Sequence, residues 1–392
     1  PGMGGLHLGH LLRGALGDDA PAAGADQAQA FTHTSFNVAP YEGYLRLAER
    51  LNEITPGDFA KKTLLVTTGV EAVENAVKMA RAFTGRSGIV AFAGGFHGRT
   101  MMGMALTGKV KPYKAGFGPF PGEIFHSPFP SEYHGISLDE AIAALDRLFL
   151  TSIEPDRVAA FIVEPIQGEG GFNVAAPEFL RALRERADAH GILLIADEIQ
   201  AGMARTGKMF CFDHAGVVPD LVTMAKGLAG GFPLSAVTGR ADVVDAAPVG
   251  GLGGTYAGNP LAVAAAHAVL DVIVEEDLCA RAAEIGDMIL ARLNAISERQ
   301  GMEAIGDVRG MGAMVAFELV KDRASKAPDA ALTNAIIAEA EARGLIMISC
   351  GMHGNVVRLL PPLTTPMDQV AEALDIIEAS VEAAITSVAN AA

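Results

Sequence analysis

The chain has 392 residues, half of them hydrophobic and 19% charged, with a formal net charge of −16 at neutral pH. That length supports a large core and more than one domain. The acidic balance argues against a nucleic-acid or anionic-membrane partner, since both need a basic patch, and no run of roughly 18 or more apolar residues is present to span a bilayer.

The opening PGMGGLHLGHLLRG lacks the basic region and unbroken apolar stretch of a signal peptide. It also lacks an initiator Met, so the sequence reads as starting inside a longer gene product. Residues 1–30 are taken as an N-terminal segment, and the Ala/Gly-rich stretch 14–30 gives no readable pattern. From about residue 60, short apolar runs alternate with helical stretches. Thr63–Thr67 (TLLVT) is predicted as a strand, followed by a Thr-Thr-Gly turn and a helix. In that helix Val73, Ala76, Val77 and Ala80 fall at i, i+3, i+4 and i+7. The runs GIVAFA, AAFIVEP, ILLIADE, LVTMAKG and SAVTG follow, several of them apolar at every position, as in strands covered on both faces. Helices such as APEFLRALRERADAHG separate them. The pattern predicts an α/β large domain over 31–275, a mostly parallel sheet between helices. The helix LAVAAAHAVLDVIVEE joins it to a smaller α+β domain over 276–392. That domain is predicted as two helices, a strand MVAFELV, a helix ALTNAIIAEAEARG, strands LIMISC and VVRLL, and a last helix.

Cys211, Cys279 and Cys350 are odd in number, widely spaced and without CxxC or CxxH neighbours. This points to idle thiols in a reducing cytoplasm, with no metal site and no disulfide scaffold.

The strongest chemical signal is a pair. ILLIADEIQ carries Asp197, and MAKG carries Lys226 29 positions later, each at the carboxyl end of an apolar strand, where open α/β sheets place ligands. A lysine nucleophile must be partly desolvated so that its amine can be neutral and condense with an aldehyde. A carboxylate at the neighbouring strand end needs a partner, and a protonated pyridine nitrogen supplies one while keeping the ring an electron sink. Either residue alone reads more simply as a solvated lysine or a turn cap. Around the pair, TTGVEAVENA runs a small loop into a helix N-terminus, where Gly69 and Val70 can offer backbone N–H groups to an anion. GGLGGTYAGNP places Thr255 before another helix, either as a phosphate contact or in a plain Gly-rich linker. AGGFHGRT offers Phe96 as an aromatic face, or as core packing, and Arg99 as a carboxylate fork. VEPIQGEGGF holds Glu164 and Glu169, one of which can pair with an arginine. Arg358 lies within an apolar strand, where a charge needs a partner. No GxGxxG follows a strand and opens a helix, which excludes a dinucleotide fingerprint.

The motifs TTGVEAVENA, FHGRTMMGMALTGK, VEPIQGEGG, IADEIQ, MAKGLAGGFP, GGTYAGNP and VVRLLPPLT, in this order, resemble the class III, subgroup II aminotransferases over roughly residues 31–380. The segments PGDFAKKTLLVTTG, HGISLDEAI and IGDVRGMGAM carry a finer resemblance to the bacterial 4-aminobutyrate aminotransferases. The resemblance implies a fold-type-I transferase that uses pyridoxal 5'-phosphate, with an active site shared across a homodimer or a dimer of dimers. It implies that Lys226 holds the cofactor as a Schiff base and shuttles a proton, and that Asp197 binds the pyridinium nitrogen. It further implies Gln200 near the ring oxygen, Glu164 in the cofactor site and Phe96 stacked on the ring. Gly69 and Val70 would hold the phosphate, with Thr255 arriving from the partner subunit. For substrates, it implies transfer of an amino group from 4-aminobutyrate or a similar ω-amino acid to 2-oxoglutarate, by a ping-pong mechanism. Arg99 would bind the distal carboxylate, Arg358 the carboxylate beside glutamate's amino group, and Glu169 would neutralise Arg358 when the donor lacks that group. The alternatives are 5-aminovalerate, ornithine or acetylornithine transaminases, an aminomutase, or a non-catalytic aminotransferase-like module.

Two departures stand out. The family usually has Ser or another small residue where this chain has Val70, which predicts weaker cofactor retention. The family's N-terminal GG-I and GH-x-HP segments are only echoed, in Gly4-Gly5-Leu6 and Gly9-His10, so contacts from Leu6 or Leu8 are not carried over. Asn37 stands where relatives often have Gln.

Overall fold

The structure, a computed structural model, describes residues 19–391, so the readings on Gly4, Gly5, Leu6, Leu8, Gly9 and His10 lie outside the described residues. It opens with a helix, α1 (Asp19–Ala30), in the stretch that gave no sequence pattern. Small residues let it lie close: a Cβ added to Gly24 would sit 3.0 Å from Cζ of Phe232. The next helix, α2 (Glu42–Ile54), buries Tyr44, Leu47 and Leu51 along one stripe.

Seven strands form the large sheet: β1 (Lys61–Val66), β2 (Gly88–Phe92), β3 (Ile124–Ser127), β4 (Val158–Val163), β5 (Leu193–Asp197), β6 (Leu221–Met224) and β7 (Ser235–Arg240). Their order is β1-β7-β6-β5-β4-β2-β3. Only β7 runs antiparallel to its neighbours; the other pairings are parallel. Strands β2, β4, β5 and β6 are buried at every position, which is why they are apolar throughout instead of alternating. On one face lies α3 (Gly69–Thr84). The stripe Val73, Ala76, Val77 and Ala80 is fully buried there, the helix lying mainly over β4, β6 and β7. A capping box starts this helix, with Thr68 Oγ1 accepting from the Glu71 N–H and the Glu71 carboxylate accepting from the Thr68 N–H at 2.7 Å. On the other face α4 (Leu138–Thr151), α5 (Pro177–His190) and α6 (Pro260–Glu275) pack, and this apolar cluster runs on into the second sheet.

After α7 (Leu278–Ser297), the second sheet consists of β8 (Ile305–Met311), β9 (Met314–Leu319), β10 (Ile348–Cys350) and β11 (Val356–Leu359) in the antiparallel order β8-β9-β11-β10. Helices α8 (Ala330–Ala342) and α9 (Met367–Ala391) complete this part. Where the sequence predicts two helices before MVAFELV, there is one helix and the strand β8. Gly306, Asp307, Arg309 and Gly310 interrupt any alternation in β8, and its residues after Ile305 are only half-buried, so no strand period was readable. Among the described residues no helix is long and apolar enough to cross a membrane. The three cysteines are unpaired, with Cys211 and Cys350 buried.

Candidate active site

The strands β1, β2, β4, β5 and β6 all end on one edge of the sheet, and each passes the chain into a loop bearing residues singled out from the sequence. Gly69 and Val70 follow β1, Phe96 and Arg99 follow β2, Glu164 and Glu169 follow β4, Gln200 lies just beyond Asp197 at the end of β5, and Lys226 comes after β6. This is where the strand order of an open sheet leaves a crevice. Lys226 opens a short turn, Lys226–Ala229, with a φ of 45°. That left-handed backbone costs a side-chain-bearing residue about 1 kcal/mol or more. Solvent reaches its side chain, yet protein surrounds it on most sides. Burial lowers its ammonium below the usual lysine value, against the opposing pull of Glu164, Asp197 and Glu169.

Asp197 is buried, and its Oδ2 lies 2.7 Å from Nδ1 of His97, itself only 2% exposed. Its Oδ1 accepts from Thr223 Oγ1 and from the Ile199 N–H, both at 3.2 Å. A carboxylate has about four lone-pair sites, so Asp197 retains capacity for a further donor. Burial works against the imidazolium of His97, but the Asp197 hydrogen bond and the charges of Asp197 and Glu164 outweigh it and raise the histidine above its usual value. Sequence reasoning missed His97. It lies beside Phe96 in a motif that was singled out, but its partner is 100 positions away. Glu164 is engaged by backbone: Phe96 N–H donates to Oε1 at 2.7 Å and Gly168 N–H to Oε2 at 3.0 Å. Through these two bonds Glu164 ties the β2 loop to the β4 loop, and burial pushes its carboxyl upward. Gln200 lies so close to Gly168 that any Cβ there would overlap its Oε1, and that buried Oε1 has no hydrogen-bond partner among the described residues.

At the N-terminus of α3, the first-turn amides have no intrahelical acceptor. Glu71 accepts from the N–H groups of Thr67 and Thr68, and Thr68 accepts from that of Glu71. This leaves the amides of Gly69 and Val70, at the positive end of the helix dipole, without an acceptor among the described residues and able to form an anion cradle. The cradle is tight: a Cβ on Gly69 would lie 3.1 Å from Ile199 Cδ1. The side chain of Val70 turns toward two glycines. A Cβ on Gly98 would overlap its Cγ2, and one on Gly103 would lie 2.6 Å from it. Thr255 is exposed in the loop before α6 and has no hydrogen bond to these residues within the protomer. Asn37 is exposed close to Gly253 of the same loop.

Two arginines flank the crevice differently. Arg99 is exposed, has no ion-pair partner among the described residues, and rests over Tyr113 and Phe96 at 5.0 and 5.7 Å from the ring centroids. Arg358, on β11, is held by Glu169, Nη1 to Oε1 at 2.5 Å, while its buried Nε has no partner among the described residues. Burial acts to raise the Glu169 carboxyl, but Arg358, Tyr113 and Lys226 hold it below the usual range. The loop carrying Glu169 is braced by Arg309, whose Nε donates to Gly171 O at 2.8 Å.

The chain and its fold have known relatives. Residues 14–381 match the family model for class-III aminotransferases. The chain is a class-III aminotransferase. It is 52% identical over 373 residues to the 5-aminovalerate aminotransferase of Pseudomonas putida, covering 95% of this chain and 86% of that protein. It is also 52% identical over 372 residues to the 4-aminobutyrate aminotransferase of Escherichia coli, with the same coverage. Among solved structures, a Bacillus anthracis aminotransferase matches with a TM-score of 0.86 at 30% identity, covering 93% of this chain and 85% of that one. An amine transaminase from an uncultivated Pseudomonas species matches with a TM-score of 0.84 at 31% identity, covering 94% and 87%. Class-III aminotransferases are pyridoxal phosphate enzymes, and this donor set suits that group. It offers, among the described residues, two helix N-terminal amides and a Gln200 oxygen without partners, a buried carboxylate with spare acceptor capacity, and a lysine whose ammonium lies below its usual value.

Proposed function

We propose that this aminotransferase uses pyridoxal 5'-phosphate to move the amino group of 4-aminobutyrate, or a similar ω-amino acid, to 2-oxoglutarate, giving succinate semialdehyde and glutamate in a ping-pong cycle. The observation that carries the substrate reading is the pair of unlike arginines: Arg99 without an ion-pair partner, and Arg358 already neutralised by Glu169. One crevice can then take a substrate with one carboxylate or with two without leaving a buried charge unpaired. The names of the two relatives at 52% identity support the same donor class. 5-Aminovalerate, one methylene longer than 4-aminobutyrate, is the second reading, favoured by the Pseudomonas putida relative.

When bound, the cofactor supplies an aldehyde that carries the amino group and a pyridinium ring that accepts electrons. The chain's residues supply the rest. Gly69 and Val70 would hold the phosphate through their amides, with Thr255 of a second subunit, and Gln200 and Phe96 would hold the ring. Asp197, oriented by His97, keeps the ring nitrogen protonated. Lys226, whose ammonium burial lowers below its usual value, would be the amine that holds the cofactor. Its Nζ would also be the base that moves a proton to and from the substrate carbon bearing nitrogen. Arg99 fixes the distal carboxylate and so sets which carbon faces Lys226. Glu169 yields Arg358 when glutamate or 2-oxoglutarate brings a second carboxylate. On this reading residues 31–275 hold the cofactor, 276–392 form a small domain contributing Arg358, and the enzyme is a cytoplasmic homodimer or dimer of dimers.

The test is the visible spectrum of the purified holoenzyme before and after 4-aminobutyrate is added without a keto acid. Conversion of the cofactor band from the aldehyde to the amine form is the expected result. A band that ignores ω-amino acids but responds to glutamate or ornithine refutes the donor assignment.

A further inference from the structure

Tyr113 has no part in the assignment above, yet it touches both halves of the carboxylate machinery. It lies in the loop between the short helix Met101–Leu106 and β3 and is 6% exposed. Its hydroxyl donates to Oε2 of Glu169 at 2.8 Å, while Nη1 of Arg358 holds Oε1 of the same carboxylate at 2.5 Å. Its ring lies 5.0 Å from the Arg99 guanidinium and 4.8 Å from the Phe96 ring. Burial, the hydrogen bond to Glu169 and its charge raise the phenol well above the usual tyrosine value, so it is a donor at every working pH. Lys109 adds positive charge nearby, but its Nζ is bonded to Gly351 O at 2.6 Å.

We propose that Tyr113 is a specificity-determining positioning residue, which holds Glu169 once a substrate carboxylate has taken Arg358 from it. The inference rests on the two-substrate reading given above. With an ω-amino acid bound, Glu169 has two side-chain donors, Arg358 and Tyr113, and losing one leaves the other. With glutamate or 2-oxoglutarate bound, Arg358 turns to the substrate. Tyr113 is then the one side-chain donor that still reaches Glu169 among the described residues. A half-buried carboxylate without a donor is costly, so the hydroxyl matters far more for dicarboxylates than for monocarboxylates. The ring serves a separate purpose: it supports Arg99 and hence both substrate classes.

The test uses the Tyr113→Phe holoenzyme, which keeps the ring and nearly the same volume. Equilibrium dissociation constants are measured by calorimetry for glutarate, with two carboxylates, and valerate, with one; neither has an amine to react. The expected result is a loss of about tenfold or more for glutarate and less than about threefold for valerate. In single-turnover kinetics the same selectivity should fall on the concentration dependence for glutamate and not on the limiting rate. Tyr113→Leu, which also removes the ring, should weaken both acids. In a Glu169→Ala background, Tyr113→Phe should no longer discriminate between them. Equal losses for the two acids in Tyr113→Phe, no loss for either, or selectivity that survives in Glu169→Ala overturns the proposal. The wild-type spectral test comes first. Failure there defeats the substrate reading, whereas success there followed by equal losses defeats this inference alone.

Discussion

Replacing Val70 by Ser should loosen the empty protein and tighten the loaded one. In the structure Val70 Cγ2 fills space that only glycine at 98 and 103 leaves open. Val70 is half-buried, so removing two methyls, each worth about 0.8 kcal/mol when fully buried, costs about 1 kcal/mol. For a chain of this size that lowers the apo-enzyme's Tm by only about 1–2 °C. The new hydroxyl would stand beside the free amides at the start of α3 and add a hydrogen bond to the bound phosphate. Bonds to charged groups contribute roughly 1.5–3 kcal/mol, enough to slow cofactor release about tenfold or more. Calorimetry of the apo-proteins measures the first effect. The second is read from the cofactor absorbance as holoenzyme is diluted into an aldehyde scavenger. Equal release rates in the two proteins would refute the reasoning, because they would mean that position 70 contributes its amide and nothing else.

Asp197→Asn leaves the shape of the His97 contact but removes the charge, so kcat should fall by about two orders of magnitude or more while the protein still folds; near-normal turnover would remove Asp197 from the mechanism. Arg99→Ala should raise KM for both 4-aminobutyrate and 2-oxoglutarate about tenfold or more, and an effect confined to one substrate would contradict a shared distal site. Glu169→Gln leaves Arg358 without its counter-charge and should harm the 4-aminobutyrate half-reaction more than the glutamate one, measured as separate single turnovers. Glu318 is buried between Arg309 and His134. Burial alone would raise its carboxyl, but these partners hold it down to about 2 against an ordinary value of 4.5. Its folded value lies below the unfolded one, so its stabilisation is complete above 4.5 and lost as pH falls toward 2. Urea midpoints of wild type and Glu318→Gln should differ at pH 7, draw together as pH falls below 4.5 and meet only near pH 2, and a constant gap would contradict this.

Local pattern placed six of the seven strands of the large sheet and the candidate residues at their ends; the edge strand β3, only four residues long and mostly half-buried, was not among the predicted runs. A strand covered on both faces must be apolar at every position, so β2, β4, β5 and β6 were visible as runs, and their ends marked Asp197 and Lys226. The anion cradle was legible for the same reason, since a helix N-terminus after a strand is a property of neighbouring residues, and the capping box around Gly69 and Val70 is local. What stayed hidden depends on partners distant in sequence. Nothing next to His97 or Tyr113 indicates that one meets Asp197 and the other Glu169, because folding alone brings those positions within hydrogen-bond reach. The strand β8 was missed because its half-buried, Gly-interrupted residues take their pairing from β9 and carry no period of their own. The helix α1 was missed because its small residues carry no apolar stripe; it is held by packing on α6, with Gly24 close to Phe232, and only tertiary packing supplies those contacts. The sequence determined which side chains stand at each strand end, since that follows from local periodicity; tertiary structure decided which of them touch, since a hydrogen bond or ion pair depends on distances that only the assembled sheet and its loops fix.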